Sequence, residues 1–141
     1  MPILEYHLAE DRYGDEQLER LLVRSSHLYA EILESPVERV RVYAHFFKPA
    51  HMAVGGRRVA AGAPDAPHFR FLVLEGRPLE QCHRLLEGFT DLVVEILLAD
   101  RALVRGACWP VPPQHWSIAG TPASVARAAE VAARVQDLRQ A

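Results

Sequence analysis

An internal duplication constrains the fold of this chain more than any single residue does. The segment Pro2-Ile3-Leu4-Glu5-Tyr6-His7-Leu8-Ala9-Glu10-Asp11-Arg12 aligns with Pro67-His68-Phe69-Arg70-Phe71-Leu72-Val73-Leu74-Glu75-Gly76-Arg77 at an offset of 65, keeping Pro, Glu and Arg in register. Pro49-Ala50-His51-Met52-Ala53-Val54-Gly55-Gly56 aligns with Pro113-Gln114-His115-Trp116-Ser117-Ile118-Ala119-Gly120 at an offset of 64. Arg41 and Arg105 also correspond, and an extra residue at Tyr13-Gly14 accounts for the drift of one.

Each copy reads as strand, helix, strand. In the first, Asp15 is an N-cap candidate, and Leu18, Leu21, Leu22, Ser25 and Ile32 share one helical face. Ser35-Pro36 stops that helix. Val40, Val42 and Ala44 then alternate with Arg41, Tyr43 and His45, as a two-faced strand requires. In the second copy Pro78 suits a first helical position, followed by the stripe Leu85, Leu86, Phe89, Val93, Ile96 and Leu97. Leu103 to Trp109 reads as the closing strand. A long helix between two strands implies a parallel pair with a right-handed crossover. The expected class is therefore α/β (α+β): duplicated β-α-β units in one four-stranded mixed sheet, with two helices on one face and a C-terminal helix. The opposite face, with Phe69, Phe71 and Ile3 assigned to it, is expected to need a cover, and self-association supplies one. The division reads as a single domain over 1–141, with a first repeat at 2–58, a Gly/Ala/Pro-rich linker at 59–66, a second repeat at 67–120 and a tail helix at 121–141. The tail's thin stripe, Val125, Ala128, Ala132, Val135 and Leu138, predicts packing on the outside or on a neighbour, without chemistry.

Half the 141 residues are apolar and 24% are charged, enough for one ordinary core. The net charge of −2 offers no attraction to nucleic acid or to an anionic membrane. Cys82 and Cys108 are too few for a disulfide framework or a zinc site. His51 and His115 follow the repeat without a carboxylate or thiolate at ligand spacing, so no metal is expected. The most apolar stretch, Leu92 to Ala99, is short and contains Glu95, and no secretory segment precedes the first strand. A cytoplasmic protein is the expectation.

Pro2 opens a strand behind a methionine, and methionine before so small a residue is normally removed. Removal would leave a secondary amine held by a sheet. An α-amino group titrates near pH 8, and burial beside arginines would lower that value, which suits proton transfer at carbon next to a carbonyl. Pro67 has its nitrogen in a peptide bond, so one working site per chain follows. Retention of Met1 would instead leave a non-catalytic binding protein.

The set Pro2-Ile3, His7, Glu10-x-Arg12, Asp15-Glu16-Gln17, Pro36, Val40-Arg41-Val42, His51 and Gly55-Gly56 resembles the tautomerase superfamily, closest in pattern to 4-oxalocrotonate tautomerase. The duplication is similar to the fused, trimeric branch that includes malonate semialdehyde decarboxylase and cis-3-chloroacrylic acid dehalogenase. The resemblance covers nearly all of residues 2 to 120. It implies a homotrimer, no cofactor, a small carboxylate-bearing substrate, and keto-enol isomerisation with Pro2 as general base; with Met1 retained, the same trimer would be a non-catalytic binding protein. It implies Arg77 and Arg41 as substrate anchors, with Arg12 and Arg105 as their repeat mates, and Trp116 and Met52 as pocket-lining positions. A guanidinium fork suits a carboxylate and a developing enolate.

Departures weigh against the other reactions of that branch. Where the dehalogenase carries a water-activating carboxylate this chain has Ile118, its helix histidine maps to Tyr29 beside His27, and its additional arginine maps to Leu74. Where the decarboxylase carries an aspartate this chain has Arg39 beside Glu38, and Glu75 replaces an arginine. Decarboxylation or hydration of a three-carbon oxo acid is the alternative activity.

Overall fold

A computed structural model describes residues 2–141. The expected removal of Met1 concerns a residue outside those described. β1 (Ile3–Ala9) leads into α1 (Asp15–Leu33) and β2 (Arg41–Phe47), and the hairpin β3 (Ala53–Val54) and β4 (Arg57–Arg58) follows. The second half repeats the order with β5 (His68–Leu74), α2 (Leu79–Leu97), β6 (Arg105–Val111), and the hairpin β7 (Ser117–Ile118) and β8 (Thr121–Pro122). Two helices end the chain, α3 (Ala123–Ala126) and α4 (Ala128–Gln140).

The main sheet has the order β2-β1-β5-β6, parallel within each copy and antiparallel where β1 meets β5. The two copies agree down to individual backbone bonds. Arg41 N–H donates to Pro2 O at 2.9 Å and Arg105 N–H to Pro67 O at 3.1 Å. Glu10 N–H donates to Phe47 O at 2.8 Å and Glu75 N–H to Val111 O at 2.9 Å. Both long helices end on a left-handed residue, Glu34 and Leu98. The hairpin turns correspond as Gly55-Gly56 and Ala119-Gly120, all with positive φ, which is why glycine fills three of these four positions.

Alternation within the strands decides which face carries the core. Leu4, Tyr6 and Leu8 of β1 turn toward α1 and α2 and are fully buried. Phe69 and Phe71 join them, which corrects their expected place on the uncovered face. The register is the reason: Phe71 lies opposite Leu4 and Phe69 opposite Tyr6, and paired residues share a face. Their rings meet Tyr6, Tyr29 and Phe89 at centroid distances of 5.2 to 6.1 Å, mostly edge to face, contacts that add to simple burial. The uncovered face carries a polar girdle instead. Glu5 accepts from Arg70 Nε at 2.6 Å, and Arg70 lies 5.1 Å over the Trp109 ring.

Local chemistry shifts the expected element ends slightly. Gly14, rather than Asp15, is the N-cap of α1, and its N–H donates to Gln17 Oε1 at 3.0 Å. Pro78 is the N-cap of α2 rather than its first residue. The closing strand begins at Arg105 rather than Leu103, because Asp100 accepts from Ala102 N–H and winds Arg101–Leu103 into a 3-10 turn. The tail departs furthest from expectation. Thr121–Pro122 forms a strand, and the helix breaks at Arg127. Val125, Val135 and Leu138 of the expected apolar stripe are exposed. α4 lies across the chain with its polar edge inward, as Arg39 pairs with Glu130.

Candidate functional site

Pro2 is buried at the start of β1, in a narrow recess walled by Leu33, Ser35, Leu72, Val73, Leu74 and the side chains of Arg39, Arg77, Glu130 and Arg134. Leu33, Ser35, Arg39, Arg77, Glu130 and Arg134 also line a larger cavity of about 770 Å³. The recess is thus the inner end of a funnel whose outer wall is α4. Antiparallel pairing of β1 with β5 creates this placement. It sets the start of β1 against the end of β5, immediately before the turn that carries Arg77.

Arg77 is fixed by its own chain. Its Nη1 donates to Leu33 O at 3.0 Å and to Gln81 Oε1 at 3.3 Å. Burial, then the positive charge of Arg134, pushes its pKa down to about 10, and it lines both the recess and the larger cavity. Arg39 engages the Glu130 carboxylate at 3.1 and 3.2 Å.

The other expected site residues lie elsewhere. Arg41 is exposed and its Nη1 donates to Arg39 O at 3.0 Å; Arg105 donates in the same way to Ala102 O and Val104 O. Met52 and Trp116 are half-buried caps of equivalent 3-10 turns. Among the described residues, Arg41, Arg105, Met52 and Trp116 line none of the cavities around Arg77. Arg12, the mate of Arg77, faces a carboxylate from its own linker: Asp65 Oδ1 lies 3.9 Å from its Nη1, and Asp65 Oδ2 accepts from Tyr13 at 3.4 Å. The arginine that corresponds to Arg77 in the repeat thus stands beside a carboxylate of its own chain. Tyr29 is fully buried and donates to Leu72 O, so it serves the core.

Reading the sequence alone missed Arg134, Glu130 and the recess position of Arg39. The signal was a second stripe on α4, where Glu130, Arg134 and Asp137 recur at helical spacing. The apolar stripe drew attention away from it.

One cluster has ligand chemistry. Glu5, His7 and His45 bring donor atoms within 4.8 Å of one another on the uncovered sheet face. Glu5 is committed to Arg70 at 2.6 Å and also stands 3.4 Å from His45. A guanidinium inside the cluster opposes a dication. Among the described residues no helix is long and apolar enough to cross a membrane.

No protein-family model matches the chain. It is 36% identical over 61 residues to a probable tautomerase of Ralstonia nicotianae, covering 43% of this chain and 87% of that protein. Native fused 4-OT superposes with a TM-score of 0.80 at 26% identity, covering 86% of this chain and 95% of that one. Pt0534 inactivated by 2-oxo-3-pentynoate gives 0.80 at 22% identity, covering 88% and 98%. A symmetric trimer of wild-type fused 4-OT gives 0.78 at 22%, covering 88% and 98%. The duplicated sheet, the shared spacing of the two copies within the chain and the match over most of a short relative agree: the chain belongs to the tautomerase superfamily, in its fused 4-OT-like branch.

Proposed function

We propose that the chain is a cofactor-independent tautomerase of small 2-oxo or enol acids, with the amine of Pro2 as general base and Arg77 as the principal carboxylate anchor. The observation that carries this is the funnel itself, in which a buried Pro2 and a desolvated Arg77 share one recess. Guanidinium charge near a secondary amine favours its free-base form, the form that accepts a proton from carbon. The same charge stabilises the enolate that results. The proton then returns to a different carbon, so the reaction is an isomerisation with no net transfer. Support also comes from the related fold of Pt0534, which is inactivated by a 2-oxo acid.

Assembly belongs to the same proposal. A trimer, as in the related fused 4-OT, would cover the Glu5–Arg70–Trp109 face and could bring Arg41, Met52 or Trp116 to a neighbour's recess. Arg39, standing where the decarboxylase branch carries an aspartate, favours tautomerisation over decarboxylation. Ketonisation of 2-hydroxymuconate and phenylenolpyruvate, followed by ultraviolet absorbance, is the test. Pro2→Ala is expected to lower kcat by on the order of 10²-fold or more, and Arg77→Ala to lower kcat/KM by about 10²-fold. Undiminished turnover in Pro2→Ala refutes the proline role.

A further inference from the structure

The helix α4 belongs to neither repeat, yet it furnishes one wall of the funnel through Glu130, Arg134 and Asp137. Glu130 is spoken for, since both of its oxygens accept from Arg39. Arg134 is not matched in the same way. It lies 3.7 Å from Glu130 Oε2, outside hydrogen-bond reach, and its side chain is only 20% exposed. Its Nη1 is buried with no hydrogen-bond partner. A buried guanidinium N–H without an acceptor is costly, and native structures rarely leave one unanswered.

Charge around the recess points the same way. Three guanidiniums, from Arg39, Arg77 and Arg134, face a single carboxylate, Glu130. Farther out, Glu34 and Asp137 balance the mouth of the larger cavity. Positive charge is thus concentrated at the inner end, where water is most excluded and an anion is held most strongly. Burial disfavours the charge on both Arg77 and Arg134; Arg134 repels Arg77 and Arg39 repels Arg134, and the attraction of Glu130 opposes this without cancelling it. A bound anion relieves both conditions.

We propose that Arg134 is a specificity-determining anchor of the Pro2 funnel, binding a second anionic group of a substrate whose first carboxylate is held by Arg77. This rests on the reading of Pro2 and Arg77 as the reacting end. Arg134 lines both the recess and the larger cavity, so an extended acid running outward from Pro2 passes it. The tail helix therefore acts as a selective wall, and a monocarboxylate leaves its fork unused.

The test compares two stable probes of one length, muconate and sorbate, which differ in that sorbate has a methyl group in place of one carboxylate. Calorimetric titration of the full chain is expected to show muconate bound at least tenfold more tightly. Arg134→Ala is expected to remove that advantage, leaving sorbate affinity unchanged. Arg134→Lys keeps the charge but not the fork and is expected to retain part of it. If the alanine variant fails to fold by circular dichroism, the lysine variant decides on the same contrast. Equal binding of both probes by the wild type, no binding of either at millimolar concentration, or equal weakening of both in the variants overturns the proposal. Pro2→Ala separates the two readings. It is expected to keep the muconate preference whatever its turnover, so full ketonisation by Pro2→Ala would remove the proline base and leave the anchor standing.

Discussion

Gly106 of β6 offers a sharp test of how the two copies are packed. A Cβ built there would lie 2.2, 2.4 and 2.7 Å from Cζ, Cε2 and Cε1 of Phe69. That ring is fully buried and cannot swing aside, because Tyr6, Phe71 and Phe89 surround it at 5.8 to 6.3 Å. Overpacking a tight core costs about 1–3 kcal/mol, and three contacts this short place Gly106→Ala at the upper end. The smaller chain entropy of unfolded alanine returns about 0.4–1 kcal/mol. The expected net loss is roughly 2 kcal/mol, or on the order of 5 °C in melting temperature for a chain of this size. The repeat supplies the rescue. In the first copy the equivalent pair is Leu4 opposite Val42, whereas here it is Phe69 opposite Gly106. Writing the first pair into the second copy, as Phe69→Leu with Gly106→Val, is expected to be more stable than Gly106→Val alone. Thermal and urea melts of the four proteins give the coupling energy directly. A wild-type melting temperature for Gly106→Ala, or a double variant whose loss equals the sum of the singles, would refute the size-exchange explanation.

Two further outcomes follow from buried or paired polar groups. Tyr6 and Ser25 are fully buried and their hydroxyls lie 2.6 Å apart, so Ser25→Ala strands the phenol. It is expected to cost about 1–3 kcal/mol in urea melts, while adding Tyr6→Phe recovers part of that loss. Glu5 is held below the ordinary carboxylate range chiefly by its hydrogen bond from Arg70. Its folded pKa is depressed, so its contribution is complete above the ordinary value of 4.5 and is lost as pH falls from there through the folded value. Melting temperature should therefore drop more steeply in the wild type than in Glu5→Gln below about pH 4.5, and parallel curves would count against the pair.

How legible this was from sequence follows the physics of each feature. The repeat and the helical stripes are local patterns, and they placed both β-α-β units, whereas Thr121-Pro122, which reads as the start of the tail, closes the second hairpin. The face of β5 depends on register against β1, a long-range pairing that a string of residues does not display. Phe69 and Phe71 were accordingly assigned to the wrong side. Pro2 and Arg77 were singled out by their motifs, and antiparallel pairing brings them to one recess. Arg134 escaped notice because α4 has no repeat mate and because an apolar stripe was read as its docking face. Its burial comes instead from the Arg39–Glu130 ion pair, which joins residues 91 apart in sequence.

Asp65 gives the duplication a different meaning. A carboxylate carried two residues before Pro67 is presented to Arg12 by a short tether, at an effective concentration on the order of millimolar. The second copy thus carries its own counter-charge beside the arginine that matches Arg77, supplied within the same polypeptide. Covalent connectivity, and not only the blocked nitrogen of Pro67, then separates the two copies, and exchanging Asp65 in a calorimetric titration is the way to ask whether one chain can hold two acids.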